Sequence, residues 1–152
     1  DATAKKQKIV VVAHHPVYYL PFNKKHYPLW IIPKKIKQSA PGYVVYRNMS
    51  AQINAILKKY PGAYYGSGHL HAMQYHTTPD GIHHIISGAG SRLINVSAKD
   101  AAAANTRTAT DGNFWNDKGF FELAFYNNGE KLIIYHDEGK KRCDPLEPGT
   151  CQ

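Results

Sequence analysis

The sequence predicts one α/β domain whose sheet combines a buried strand with antiparallel hairpins. Three observations lead to this class: an unbroken β-branched run near the N-terminus, one segment of helical periodicity, and two pairs of short apolar runs joined by Gly-containing turns. Neither an internal repeat nor a linker composition divides the 152 residues. Residues 1–152 are therefore expected to form a single unit with a mixed sheet.

The first half is predicted to contain one strand, one long excursion and one helix. Lys8 to Ala13 is an uninterrupted apolar run after its first residue, which is typical of a strand buried on both faces. The strand ends at His14-His15-Pro16, and the prolines from there to Pro41 predict a long irregular segment. Apolar side chains then recur at helical spacing from Asn48 to Tyr60, and Pro61-Gly62 ends that helix.

The second half is predicted to contain short strands separated by a polar segment. The strands are Ala63–Gly66, Met73–Thr77, Ile82–Ser87, Phe120–Tyr126 and Lys131–Tyr135. Pro79-Asp80-Gly81 and Asn127-Asn128-Gly129 are typical of hairpin turns, so each turn joins two antiparallel strands. Ser91 to Lys118 is rich in small and polar residues and predicts a second surface excursion.

Charge and hydropathy limit the classes of function. Lys and Arg outnumber Asp and Glu by 19 to 11, a formal charge of +8, which favours phosphate esters, nucleic acid or anionic lipid without choosing among them. The apolar runs are all far shorter than the roughly 20 residues of a transmembrane helix, so we expect no membrane span. Nine His residues in a chain of this size invite a metal interpretation.

The cysteines and two glycosylation sequons bear on the compartment. Cys143 and Cys151 lie either side of Pro145, Pro148 and Gly149, which favours a turn that joins the sulfurs in a small disulfide. The alternative is two free thiols on a frayed terminus. A disulfide indicates an extracellular, periplasmic, lysosomal or vacuolar protein of the secretory pathway. Asn48 and Asn95 begin sequons that also arise by chance.

The most specific motif is Gly68-His69-Leu70-His71, directly after a predicted strand. Two imidazoles two residues apart at a strand end are able to face one crevice, and the small residues before them permit close approach of a ligand. Taken alone, the motif is also compatible with two polar side chains on an ordinary loop. Its position beyond a strand favours a metal site.

A second histidine motif follows the first predicted strand. His14 lies where that strand ends, and sites in open α/β sheets form beyond the carboxyl ends of the strands. We therefore expect His14, His69 and His71 to gather at one edge of the sheet, with a chemistry suited to zinc and other first-row metals. Side chains of adjacent residues on a strand point apart, so His15 is expected to lie outside the ligand set.

The order and spacing of these motifs resemble a known family. Val-Val-Ala-His-His-Pro-Val-Tyr, then Tyr-Gly-Ser-Gly-His-Leu-His-Ala-Met-Gln-Tyr, then Ile-Ile-Ser-Gly-Ala-Gly-Ser are similar to the C-terminal half of calcineurin-like metallophosphoesterases. Within them the purple or tartrate-resistant acid phosphatases are most similar, with Gly-His-Tyr-Pro-Val, Gly-His-Asp-His and Ser-Gly-Ala-Gly in the same order. The final segment from Lys118 to His136 also resembles the closing hairpin of that family.

The resemblance implies a role for four histidines. His14 and His69 match ligands of a divalent metal (zinc, manganese or iron), and His71 matches a ligand of the second metal, iron in purple acid phosphatases. His26 is the candidate for the histidine that meets the substrate phosphate or leaving group, although Lys24, Lys25 and His26 also fit a solvated basic loop. Ala13 and Leu70 replace a Gly and an Asp that are not ligands.

The sequence departs from the family in one important respect. It contains neither an Asp-x-His nor a Gly-Asp pair, so the bridging Asp and the other N-terminal ligands of the family are missing from it. Histidines alone do not offset the repulsion between two close cations. The resemblance therefore implies the second half of a four-layer αββα sandwich, with the N-terminal half of the enzyme supplied as a separate or proteolytically processed chain.

Two functions follow as expectations. The first is phosphoester hydrolysis by a dinuclear, acid phosphatase-like site that needs the missing half, with the isolated chain exposing apolar surface near Ile9 to Val12. The second is a non-catalytic basic remnant or regulatory module that binds an anionic partner. Tyr18, Tyr19, Tyr27 and Trp30 would suit base stacking, but aromatic residues in a Pro-rich loop more often pack the loop down, so nucleic acid is the less favoured partner.

Overall fold

A computed structural model describes residues 7–19, 44–91, 93, 112–115, 118–136 and 140–143, with the backbone alone described at 112–115, 134–136 and 140–143. Eight strands and one helix lie in these ranges. They are β1 (Val10–Ala13), α1 (Val44–Leu57), β2 (Tyr64–Ser67), β3 (Met73–Thr77), β4 (His83–Ser87), β5 (Gly112–Trp115), β6 (Gly119–Tyr126), β7 (Gly129–His136) and β8 (Lys140–Cys143).

The strands form two sheets. The larger has the order β1-β2-β4-β3-β5, in which β1, β2 and β4 are parallel, β3 runs against its neighbours β4 and β5, and β5 therefore has the same direction as β1, β2 and β4. The smaller is an antiparallel sheet of order β6-β7-β8. The predicted α/β class with a mixed sheet and C-terminal hairpins is confirmed for this part of the chain.

Both predicted hairpins are present. In the first, β3 pairs with β4 in a register that sets Thr77 opposite His83. In the second, β6 pairs with β7 as far as Tyr126 opposite Gly129. Gly81 and Gly129 have φ angles of 75° and 134°, a region that favours glycine, so the Gly at the end of each turn signal is required by the backbone.

The helix is offset from its predicted range. α1 begins at Val44, four residues before the predicted start at Asn48. The sequence pattern does not reveal this first turn because Val44 and Val45 are 63% and 66% exposed and contribute nothing to the periodic apolar stripe. It ends at Leu57, after which Lys59 and Tyr60 donate to carbonyls three residues back in a tightened final turn. Within the described residues, no helix has the length and apolarity needed to cross a bilayer.

Two strands were absent from the sequence prediction. β5 lies inside the segment predicted as a surface excursion and pairs with β3 at the sheet edge. β8, with the sequence Lys-Lys-Arg-Cys, adds to β7 across a register irregularity. Neither segment shows the apolar alternation that would predict a strand. Each is an edge strand held by backbone pairing with a neighbouring strand.

The larger sheet separates two apolar clusters. Consecutive tyrosines of β2 point to opposite faces, so Tyr65 joins the cluster under α1 and Tyr64 joins the cluster under the smaller sheet. The α1 cluster comprises Val17, Leu57, Ala63, Tyr65 and Ile82. The other comprises Tyr64, Met73, Tyr75, Ile85, Ala89 and Leu132, with Phe121 and Leu123 packed against it.

β1 is less buried than its apolar sequence predicts. It is an edge strand of the larger sheet, and Val10 and Val12 are 44% and 81% exposed. The prediction of a strand buried on both faces is therefore wrong for the chain by itself, because α1 covers only the side that carries Val11 and Ala13. The expected exposure of apolar surface between Ile9 and Val12 is confirmed at the two exposed valines.

Candidate metal centre

The parallel pairing of β1 with β2 brings two histidine segments to one edge of the sheet. Ala13 lies opposite Ser67 at the last position of the ladder, so the next residues, His14 and Gly68, leave the sheet side by side. The Gly68 amide donates to the His14 carbonyl at 3.2 Å and ties the two loops together. The two histidine segments therefore lie together beyond the carboxyl ends of β1 and β2, the edge at which the sequence predicts a site.

His69 has an unusual backbone conformation. Its φ is 62°, and the Leu70 amide donates to the Gly68 carbonyl at 2.7 Å across it. This is a three-residue γ-turn of the rare positive-φ type, which costs on the order of 1 to 3 kcal/mol in a residue with a side chain. Such strain persists where neighbouring structure holds it, and it is concentrated at functional sites.

The backbone beneath this turn is close-packed. The Gly88 amide donates to the Ala72 carbonyl at 3.1 Å, and a Cβ at Gly88 would overlap the carbonyl group of Leu70. Gly88 is the first glycine of the Ser-Gly-Ala-Gly motif at the end of β4. Because Gly88 has no side chain, the backbone after β4 is able to pack directly against the turn that carries His69.

Three imidazoles meet above this support. His14 Nε2 lies 3.1 Å from His69 Nδ1, and the ring centroids of His15 lie 4.8 Å from His14 and 4.4 Å from His69. One nitrogen from each of the three rings falls within 4.8 Å of the others. His14 is exposed, and His15 and His69 are partly buried, so the cluster opens to the surface on one side.

The spacing of the His14 and His69 nitrogens suits one metal ion. The nitrogens of the three-histidine group are separated by up to 4.8 Å, so binding of one ion by all three rings requires a small movement of a ring. With Zn–N bonds of about 2.0–2.1 Å, two ligands of a tetrahedral ion lie about 3.3 Å apart, close to the 3.1 Å between His14 and His69. A ligating imidazole must be neutral. Burial and the neighbouring His14 both lower the pKa of His15, which favours the neutral ring. The donor set therefore fits zinc or a similar first-row ion.

The loop that carries His14 and His15 is anchored through its backbone. The Tyr65 hydroxyl donates to the His15 carbonyl at 3.0 Å, and the Tyr46 hydroxyl donates to the Pro16 carbonyl. Asn54 donates its side-chain amide to the Val17 carbonyl at 3.0 Å. These contacts come from Tyr65 of β2 and from α1, which lie on the same side of the sheet, so the α1 side of the sheet determines where the loop lies.

The structure agrees in part with the predicted ligand set. It brings His14 and His69 into contact, but His71 is exposed and does not belong to the three-histidine group. The prediction that His15 points away is wrong, because β1 ends at Ala13 and the strand alternation no longer applies at a bend two residues on. Pro16 was the available signal, since a proline has no amide hydrogen for a ladder hydrogen bond and so indicates that regular strand pairing does not continue through its position.

Several other predictions fall outside the described residues. His26, Asn95 and Cys151 are among them, as are residues 20–43 and 94–111 of the two predicted excursions. Asn48 lies exposed on α1. The proposed substrate contact of His26 and the Cys143–Cys151 disulfide stay predictions.

Comparison with known proteins supports the fold. No family model matches the chain, and no curated protein matches it. A solved structure described as GAP50, the anchor in the inner membrane complex of Plasmodium, is similar with a TM-score of 0.53 and 19% identity. The match covers 95% of this chain and 39% of that one, so this chain spans about two fifths of the length of the solved structure. At this identity the likeness concerns the fold alone.

Proposed function

We propose that this chain is the histidine-bearing half of a dinuclear metallophosphoesterase that hydrolyses phosphate esters. The observation that carries the proposal is the contact between His14 and His69, two residues far apart in sequence whose motifs match the ligand motifs of that family in order and spacing. When bound, a pair of metal ions supplies activated water and neutralises charge on the ester.

The residues of this chain have distinct roles in the proposal. His14 and His69 hold the divalent position, His71 binds the second ion from the position directly after the γ-turn, and His26 contacts the phosphate or the leaving group. The γ-turn at His69 sends its ring toward His14, while Gly88 permits the tight path of the backbone. The formal charge of +8 favours the approach of an anionic ester.

The exposed face of β1 supports a complementary polypeptide. Val10 and Val12 border an apolar groove of about 340 Å³ that runs beside Gly68 and reaches Phe121 and Leu123. We propose that the N-terminal half of the enzyme covers this groove and completes a four-layer αββα sandwich. Its carboxylates would complement the net positive charge and supply the ligands that this sequence lacks.

Association with that half is tested by Val12→Asp. Because Val12 is 81% exposed, the free energy of unfolding of this chain should change by no more than about 0.5 kcal/mol. Burial of a charge in the proposed interface should abolish co-purification of the complementary polypeptide from the native source. Val45→Asp, the same change at a residue 66% exposed on α1, is the control and should leave co-purification intact. Equal recovery from both variants would contradict the proposed interface.

Hydrolysis is tested with p-nitrophenyl phosphate on the natively purified, metal-loaded complex. We expect His69→Ala to lower kcat/KM by at least about 100-fold, since even residues that only support metal ligands contribute about 10- to 100-fold. Lys58→Ala, a change at an exposed residue directly after α1 and outside the site, should leave turnover unchanged. The proposed function would be ruled out if His69→Ala kept the turnover of the unaltered complex. It would also be ruled out if the natively purified complex contained no metal and did not hydrolyse p-nitrophenyl phosphate.

A non-catalytic role is the second candidate, and one observation favours it. The similar solved structure is described as an anchor in a membrane complex, and the basic charge of this chain suits an anionic partner. Binding to anionic vesicles or oligonucleotides that weakens steeply with salt, in a complex without turnover, would favour this function over hydrolysis.

A further inference from the structure

We propose that His15 is a metal ligand, so that His14, His15 and His69 bind one divalent first-row ion without help from a second polypeptide. The inference deepens the proposed function and rests on its metal site, but it does not require hydrolysis. It assigns to this chain a complete three-imidazole site.

The geometry of the rings carries the inference. The three centroid separations, 4.8 Å, 5.0 Å and 4.4 Å, describe a nearly equilateral cluster, and one nitrogen of each ring lies within 4.8 Å of the others. Three imidazoles with an open fourth position match the ligand number of catalytic zinc sites. Because His14 is exposed, the cluster is open on one side to water or an anion.

Hydrogen bonds hold the backbone at His15 and Pro16 in place. The His15 carbonyl accepts a hydrogen bond from the buried Tyr65, and Pro16, which follows it, is itself buried and accepts from Tyr46. Proline also restricts the backbone of the residue before it to extended conformations. The ring thus belongs to a rigid segment, which lowers the entropy lost when the ion binds.

His71 is the competing third ligand. It shares the Gly-His-x-His turn with His69, and the resemblance assigns it to the second ion rather than to the ion of His14. In the structure its side chain is exposed and lies outside the three-histidine group. The two alternatives are separable, since one uses His15 and the other uses His71.

The test is Co²⁺ binding to the full 152-residue chain by itself, followed by visible absorption, a readout independent of turnover. We expect one Co²⁺ per chain, with the stronger visible absorption that distinguishes four-coordinate from six-coordinate Co²⁺. His14→Ala, His15→Ala and His69→Ala should each weaken the affinity by about 10- to 100-fold or more, and His71→Ala should leave the affinity within about 2-fold. Circular dichroism and thermal unfolding of each variant separate loss of a ligand from loss of the fold.

Two results would overturn the inference. If His15→Ala leaves Co²⁺ affinity and spectrum unchanged while His14→Ala and His69→Ala abolish binding, His15 is not a ligand, although the proposed hydrolytic site still stands. If His71→Ala weakens binding and His15→Ala does not, the first ion belongs to the Gly-His-x-His motif instead. Co²⁺ binding to the isolated chain, together with a natively purified complex inactive toward p-nitrophenyl phosphate, would support this inference and reject hydrolysis.

Discussion

Gly88→Ala should destabilise the chain by about 3 kcal/mol or more and disrupt the cluster of His14, His15 and His69. The added Cβ would overlap the Leu70 carbonyl group, whose carbon lies 2.8 Å from the Cβ position. Backbone atoms are unable to rotate away as a side chain does, so the γ-turn at His69 or the end of β4 must shift. The hydrogen bond from Gly88 to Ala72 would be lost with that shift.

Gly90→Ala is the matched control for this change. Gly90 belongs to the same Ser-Gly-Ala-Gly motif, but it is exposed and a Cβ there has no atom within 4 Å. We expect its urea midpoint and Co²⁺ affinity to match those of the unaltered chain. Two variants with equal midpoints would show that the close approach at Gly88 does not support the turn.

The second large effect is a loss of stability in acid that depends on His84. His84 is 2% exposed, lies opposite His76 on the β3–β4 ladder and packs against Tyr18 and Tyr65. Its Nδ1 has no hydrogen-bond partner among the residues that the structure describes. Burial, with smaller contributions from His76 and His83, lowers the pKa of His84 from 6.5 to about 4. The folded state therefore keeps the ring neutral where the unfolded chain protonates it.

The sign of the pH dependence follows from that difference. Above pH 6.5 neither state protonates His84, and the stability is fully present. Between pH 6.5 and about 4 the unfolded state binds one more proton than the folded state. The free energy of unfolding therefore decreases by about 3 kcal/mol as the pH is lowered from 6.5 to about 4. Below about 4 both states bind the proton, and this group contributes no further change.

Urea unfolding between pH 4 and 7 checks this prediction. His84→Leu removes the titrating ring from an apolar site and should remove most of the slope, with a stability at pH 7 close to that of the unaltered chain. His71→Gln changes an exposed histidine and should keep the slope. The same slope in His84→Leu as in the unaltered chain would assign the acid sensitivity to other groups.

The strands that gather the candidate site were predictable because they carry their own signals. β1, β2 and the β3–β4 hairpin are short apolar runs that end in glycine, proline or histidine, and parallel strands bring their carboxyl ends to one edge. β5 was not predictable, because its pairing with β3 depends on a neighbour 35 or more residues away rather than on alternation of its own. The exposure of Val12 likewise depends on the position of β1 at the edge of the sheet, and the apolar sequence of β1 does not indicate that position.

What the amino-acid sequence determined by itself is local: the hairpins through their glycines, the helix through its apolar stripe, and His14 and His69 as residues directly beyond strands. Only the tertiary structure decided that His15, and not His71, shares a cluster with them. The physical reason is that a side chain's direction past the end of a strand depends on the bend of the backbone. Here that bend is set by hydrogen bonds from Tyr46 and Tyr65, which lie 30 and 50 residues away from their acceptors.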